Sequence, residues 1–190
     1  MFVMKVDKHT DIVFLHQSFA DKFHMLYQGH QRHISKWFNK PVTSNNKSTF
    51  IELINEALAD YSKGKTLQCA IRFQQEIIGY IGLVKINDQL KKAELNYWIS
   101  HHYLGRGIIA ACCKLMIEYA FSFLNLEKLE IAIDTNNIDS RKMCETLNFE
   151  LEGILKRADN INGLVINHAQ YGLLKIHSPI INEVINKNSL

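Results

Sequence analysis

The sequence predicts a mixed α/β protein: one sheet with helices on both of its faces. Three observations predict it. Strand patterns linked by a short turn run through residues 66–100. Beyond them, helix and strand patterns alternate to residue 174. The order along the chain, β-α-α-β-β-β-α-β-α-β-β, therefore puts strands in a run first and in alternation later, which implies a mixed sheet.

Each element has its own signal. Residues 11–16 (DIVFLH) read as the first strand. Residues 18–38 carry a helical pattern in two pieces, broken near Gly29, and residues 39–48 (NKPVTSNNKS) form a loop of turn-forming residues. Ser48 opens a helix to about Tyr61, with Gly64 near its end. TLQCAIRF (66–73) and EIIGYIGLVKIN (76–87) make a hairpin through Gln74-Gln75, and AELNYWIS (93–100) follows as a strand. Ile108, Ala111, Cys112, Leu115, Met116, Tyr119, Ala120 and Phe123 recur at helical spacing and predict one buried face of a long helix. KLEIAID (128–134) alternates as a strand. SRKMCETL (140–147) is a short helix ended at Asn148, a residue that tolerates the left-handed conformation. Residues 149–157 and 164–174 pair around the Asn-Gly of DNINGL.

A chain of 190 residues predicts one domain, here 1–178, with 179–190 as a short tail. The formal charge of +3 lacks the strong basic stripe of a nucleic-acid binder, yet suits a small anionic ligand. No apolar run reaches the ~18 residues of a membrane-spanning helix. The N-terminus (MFVMKVDKHTD) has no signal-peptide pattern, so a cytoplasmic protein is expected. Cys69, Cys112, Cys113 and Cys144 show neither a C-x-x-C nor a zinc-ligand spacing and read as reduced thiols. His24, His30 and His33 read as solvated or substrate-rim residues, and no metal is expected.

Gly105-Arg106-Gly107, at the start of the long helix, has three readings. The glycines can simply turn the chain. They can clear space for a phosphate group on the first amides of the helix, where Arg106 adds a positive charge. Or Gly105 to Ala110 can be a dinucleotide fingerprint, G-x-G-x-x-A, with Asp134 as its ribose acid. That third reading fits poorly, because His101 to Leu104 separate the first glycine from its strand. A Walker A loop is excluded, since no Lys-Ser/Thr follows the second glycine.

From about residue 8 to 175 the chain resembles the GCN5-related N-acetyltransferases, in the branch of ribosomal-protein N-terminal acetyltransferases. Leu104-Gly105-Arg106-Gly107-Ile108-Ile109 is similar to that family's Q/R-x-x-G-x-G/A signature, with Leu104 and Ile109 departing from it. AELNYWIS resembles A-E-I-G-Y-W-L. Asn137-Ile138-Asp139-Ser140 with CETLNFELEG resembles N-x-x-S…A-E-K-L-G-F-x-x-E-G, with Asn148 in place of Gly. NINGLVINHAQYGLL resembles N-G-x-Y-x-D-H-x-x-Y-x-L-L, with Asn167 where Asp is common.

The resemblance implies a mostly antiparallel sheet of six to seven strands and acetyl-CoA as cosubstrate. Its acetyl group would go to a primary amine, foremost a protein N-terminus, with polyamines, amino sugars or drugs as alternatives. A degenerate acetyl-CoA-binding protein is the non-enzymatic alternative. Residues 104–109 would take the pyrophosphate, the strand at Trp98 and Ile99 the pantetheine arm, and Asn137 and Ser140 the pantetheine or a water. Glu94 is the implied base. Cys144 stands where many relatives place an acidic tyrosine. Arg32 and Trp37 would belong to the acceptor wall, and a homodimer is expected.

Overall fold

The computed structural model describes the backbone of residues 3–34, 46–161 and 163–181, and the side chains of 3–28, 46–160 and 163–181. Among the described residues, eight strands hydrogen-bond in the order β1-β2-β3-β4-β5-β6-β8-β7. They are β1 (Val3–Lys5), β2 (Thr10–Phe14), β3 (Leu67–Phe73), β4 (Glu76–Asn87), β5 (Lys92–Ile99), β6 (Lys128–Asp134), β7 (Glu150–Ile161) and β8 (Leu164–Leu174). The α-helices among the described residues are α1 (Ala20–Ile34), α2 (Lys47–Ser62), α3 (Ile108–Ser122) and α4 (Ile138–Thr146). The sheet is one strand wider than the six or seven expected, because the three residues of β1 pair antiparallel with β2. It is mixed, as expected: β5 and β6 run parallel over Lys92↔Lys128 to Glu94↔Glu130, while β6–β8 and β7–β8 are antiparallel.

The chain divides into two compact units, Met1–Val84 with Asn96–Cys112, and Lys85–Leu95 with Cys113–Leu190. In the first, consecutive residues of β2 and β3 are buried: Ile12 and Val13, then Cys69, Ala70 and Ile71, all at 0% exposure. Neighbouring strand residues point to opposite faces, so both faces of the sheet are covered there. One of them packs Val13, Ala70, Ile77, Tyr80 and Trp98 with Phe23 and Tyr27 of α1 and Phe50 and Ile54 of α2.

Helix α1 runs through Gly29 without the expected break. One glycine costs about 1 kcal/mol against alanine, and the burial of Phe23 and Tyr27 outweighs it. Helix α2 starts one residue earlier than Ser48, because Asn46 is the cap: its side chain accepts from the Thr49 amide at 3.0 Å. Gln74 and Gln75 turn the β3–β4 hairpin with φ of 46° and 70°, the paired left-handed geometry of a tight hairpin, here without glycine.

In the second unit β6 alternates. Leu129, Ile131 and Ile133 are buried, while Lys128 and Glu130 face the other way. That polar face carries ion pairs, across strands in Lys92–Glu130 at 3.0 Å and Lys128–Glu152 at 2.8 Å and along β6 in Lys128–Glu130 at 3.0 Å. The buried face of α3 is broader than its predicted stripe. Cys113, Ile117 and Phe121 are at 0% exposure, and Phe123, expected inside, is 70% exposed. Asn148 takes the expected left-handed conformation after α4, with φ of 64°. Residues 35–45, Asn162 and 182–190, and the side chains of His30, Arg32 and His33, lie outside what is described, so the expectation for Trp37 lies there too, as does that for the tail after Ile181.

Candidate functional site

In the first unit the chain leaves β5 through Ser100, whose amide donates to Ile78 O at 2.8 Å, and makes a 3-10 turn over His101–Tyr103. Leu104 is extended, and Gly105 and Gly107 are left-handed, with φ of 72° and 73°. A Cβ added at either glycine meets nothing within 4 Å. The requirement is therefore the backbone conformation, which other L-residues adopt at a cost, and not room for the chain. The Ala111 amide donates to Gly107 O at 3.0 Å, so Gly107 stands at the cap of α3. A glycine cap offers no side-chain acceptor. The amides of Ile108, Ile109 and Ala110 thus open the helix as donors without intrahelical partners, at the positive end of its dipole. Arg106 is exposed between the glycines, its guanidinium over the Tyr103 ring at 5.1 Å from the centroid. Ile108 is buried and anchors the helix start, whereas Leu104 is 61% exposed.

The strand before this turn is held from the core side. Trp98 is 7% exposed and meets Phe23 edge-to-face at 6.1 Å, so its side chain is core. Ile99 is half-buried.

In the second unit, Glu94 is 15% exposed at its side chain and accepts from Lys85 Nζ at 2.7 Å. Helix α4 carries the other three sequence-predicted residues. The Asn137 side chain accepts from the Ser140 amide at 3.2 Å, so Asn137 caps the helix. Ser140 is half-buried, and Cys144 is fully buried at 0% exposure. Burial also pushes the Cys69 and Cys112 thiols up to about 12, so neither is a thiolate near neutral pH. His24 lies against Phe50 at 5.6 Å, beside Gln28. Among the described residues no group of three His, Cys, Asp or Glu side chains is placed to hold a metal ion, and no helix is long and apolar enough to cross a membrane.

Sequence reasoning missed the contacts that tie α4 down. Arg141 Nε donates to the Tyr171 hydroxyl at 3.1 Å, and that hydroxyl donates to Glu145 Oε1 at 3.3 Å. Tyr171 sits inside the quoted HAQYGLL stretch, but a separation of 30 positions along the chain hides its partner. Asn167 also finds a reason. Its side-chain oxygen accepts from the Arg157 amide at 2.8 Å, where β7 departs from register between Leu155 and Asp159. Aspartate supplies the same acceptor.

Asp134 accepts from the Asn136 amide at 3.0 Å within its own turn, and a 3-10 turn stands between β5 and the glycines. Neither suits the dinucleotide reading.

Residues 14–150 match the family model of the acetyltransferase (GNAT) domain. The chain is 29% identical over 176 residues to a Bacillus subtilis protein named "Putative ribosomal N-acetyltransferase YdaF", covering 92% of this chain and 96% of that one. It is 31% identical over 130 residues to the spermidine N(1)-acetyltransferase of Escherichia coli K12, covering 67% of this chain and 66% of the relative. A solved structure described as "Crystal structure of Probable acetyltransferase" superposes with a TM-score of 0.85 at 29% identity, covering 93% of this chain and 98% of its own. RimL, the ribosomal L7/L12 α-N-protein acetyltransferase in complex with coenzyme A, superposes with a TM-score of 0.81 at 19% identity, covering 93% of this chain and 100% of its own, a likeness of fold.

Proposed function

The chain belongs to the GNAT acetyltransferase family and is an N-acetyltransferase; on that premise we propose that it moves the acetyl group of acetyl-CoA to the N-terminal α-amino group of a protein. One observation carries the donor assignment: the left-handed pair Gly105 and Gly107 opens α3 with free first-turn amides beside Arg106. That arrangement fits a pyrophosphate. The acceptor assignment leans on the relative named as a ribosomal acetyltransferase, which matches nearly the whole length of both chains. A polyamine is the second reading, supported by the spermidine acetyltransferase at 31% identity.

The chemistry divides into three needs. The amine must lose a proton before it attacks, since a free α-amino group has a pKa of about 8. Glu94 is the base assigned to this step, directly or through a water, with Lys85 donating to its Oε2. The tetrahedral oxyanion takes a backbone N–H of the Tyr97-Trp98-Ile99 stretch, whose position the core contacts of Trp98 fix. The departing thiolate needs a proton donor, and Cys144 on α4 is the residue assigned, with Ser140 holding a water and Asn137 contacting pantetheine. A buried thiol donor works only where the ligand itself reaches it. The reading is of a cytoplasmic homodimer that uses no metal.

The experiment is a melting series with acetyl-CoA, CoA and NAD, followed by acetyl transfer to peptides with free N-termini and to spermidine. The donor assignment predicts a rise in midpoint with acetyl-CoA and CoA but not NAD. Turnover on peptides supports the protein acceptor. Turnover on spermidine alone replaces it with the polyamine, and no rise with acetyl-CoA removes the donor assignment.

A further inference from the structure

Helix α4 has nine residues, and a helix that short owes its place to what it is fastened to. The fastening is specific. Tyr171 is 1% exposed on β8, and its hydroxyl accepts from Arg141 Nε at 3.1 Å and donates to Glu145 Oε1 at 3.3 Å. Arg141 also donates through its terminal nitrogen to Thr135 O at 3.3 Å. Thr135 lies in the turn that delivers Asn137, and its amide is held by Asn167 O at 3.0 Å. The same arginine thus grips the helix, the turn before it and the strand beneath it. A planar guanidinium with several fixed donors suits that task better than an ammonium group. Asn137 and Ser140 lie just ahead of Arg141 in sequence, and Cys144 lies between Arg141 and Glu145.

We propose that Tyr171 is a positioning residue for the acetyl donor: through Arg141 and Glu145 its hydroxyl sets where α4 presents Asn137 and Ser140 to the pantetheine arm. This rests on the acetyl-CoA reading of the preceding section. Tyr171 touches no reacting atom, and its effect passes through the helix. The residues it steers, Asn137 and Ser140, are those assigned to pantetheine, so its influence is expected on the pantetheine end of the donor and not on the nucleotide end.

The test measures the binding of acetyl-CoA and of adenosine 3′,5′-diphosphate, its truncated nucleotide portion, to wild type, Tyr171→Phe, Arg141→Lys and the double variant of the full chain. The expected result is about tenfold weaker acetyl-CoA binding in each single variant. Binding of the truncated probe stays at the wild-type level, and the double variant is no worse than the weaker single one, because both changes break one unit. Equal weakening of both probes, or acetyl-CoA binding within twofold of wild type, overturns the positioning role and leaves the donor assignment standing. Wild type binding neither probe overturns the donor assignment, and the positioning role falls with it.

Discussion

No side chain fits between Gly79 and the carbonyl oxygen of Trp98. A Cβ on Gly79 would overlap that oxygen and come within 3.0 Å of Ile99 Cα, both of them backbone atoms that cannot swing aside. The close approach fixes the path of β5 where its backbone is assigned to the oxyanion. Gly79→Ala is expected to cost about 2 kcal/mol or more in stability through overpacking. Urea unfolding checks this, and a loss under about 0.5 kcal/mol would show that the strand shifts freely.

Gly107 makes a different demand. Its surroundings have room for a methyl group, but its φ of 73° does not suit one. Gly107→Ala should lower stability by only about 1–2 kcal/mol while largely abolishing the melting-point rise given by acetyl-CoA. A variant that keeps the wild-type rise would detach the turn from donor binding.

Glu94→Gln keeps the shape of the side chain and removes its basicity. As the general base it should lower kcat by about a hundredfold, with KM for acetyl-CoA unchanged. A kcat within threefold of wild type removes Glu94 as the base.

Asp11 contributes to the acid limb of stability. The hydrogen bond from Lys5, then that from Arg72, holds its carboxyl below the ordinary 3.8, against the opposing effect of burial. A folded-state value below the unfolded one gives a contribution present above pH 3.8 and lost as pH falls from there through the folded value. Wild type should therefore exceed Asp11→Asn in stability at neutral pH, with the gap closing below pH 3.8. A gap constant down to pH 2.5 contradicts the assignment.

Local signals were legible in the sequence, and contacts between distant residues were not. The β3–β4 hairpin could be read from the alternation flanking Gln74-Gln75 even though neither residue is a usual left-handed one. The end of α4 could be read from Asn148, and the turn into α3 from its two glycines. Three residues are too few to show a period, so β1 went unread. Gly29 was read as a break because its propensity was weighed without the burial of Phe23 and Tyr27 beside it. On α3 a single-stripe template missed Cys113, Ile117 and Phe121, since a helix covered over more than one face has no single stripe to find. In the candidate site, the residue types and their spacing identified the turn. The ion pair that occupies Glu94 and the grip of Tyr171 on Arg141 depend on which strands become neighbours, and no local pattern encodes that.

Neither compact unit is a continuous stretch of chain. The polypeptide crosses from one to the other after residue 84, back after 95, and over again after 112. A single protease cut inside that interval leaves both units in two pieces, and neither can be expressed alone from one uninterrupted reading frame. A single recombination crossover in the interval likewise joins mismatched segments in both units at once. Two crossovers are the least that could transplant the Lys85–Leu95 stretch, which brings Glu94 and its lysine partner together as a cassette. New acceptor preferences on this scaffold are thus expected to arise by point substitution, or by moving that cassette, rather than by swapping halves between relatives.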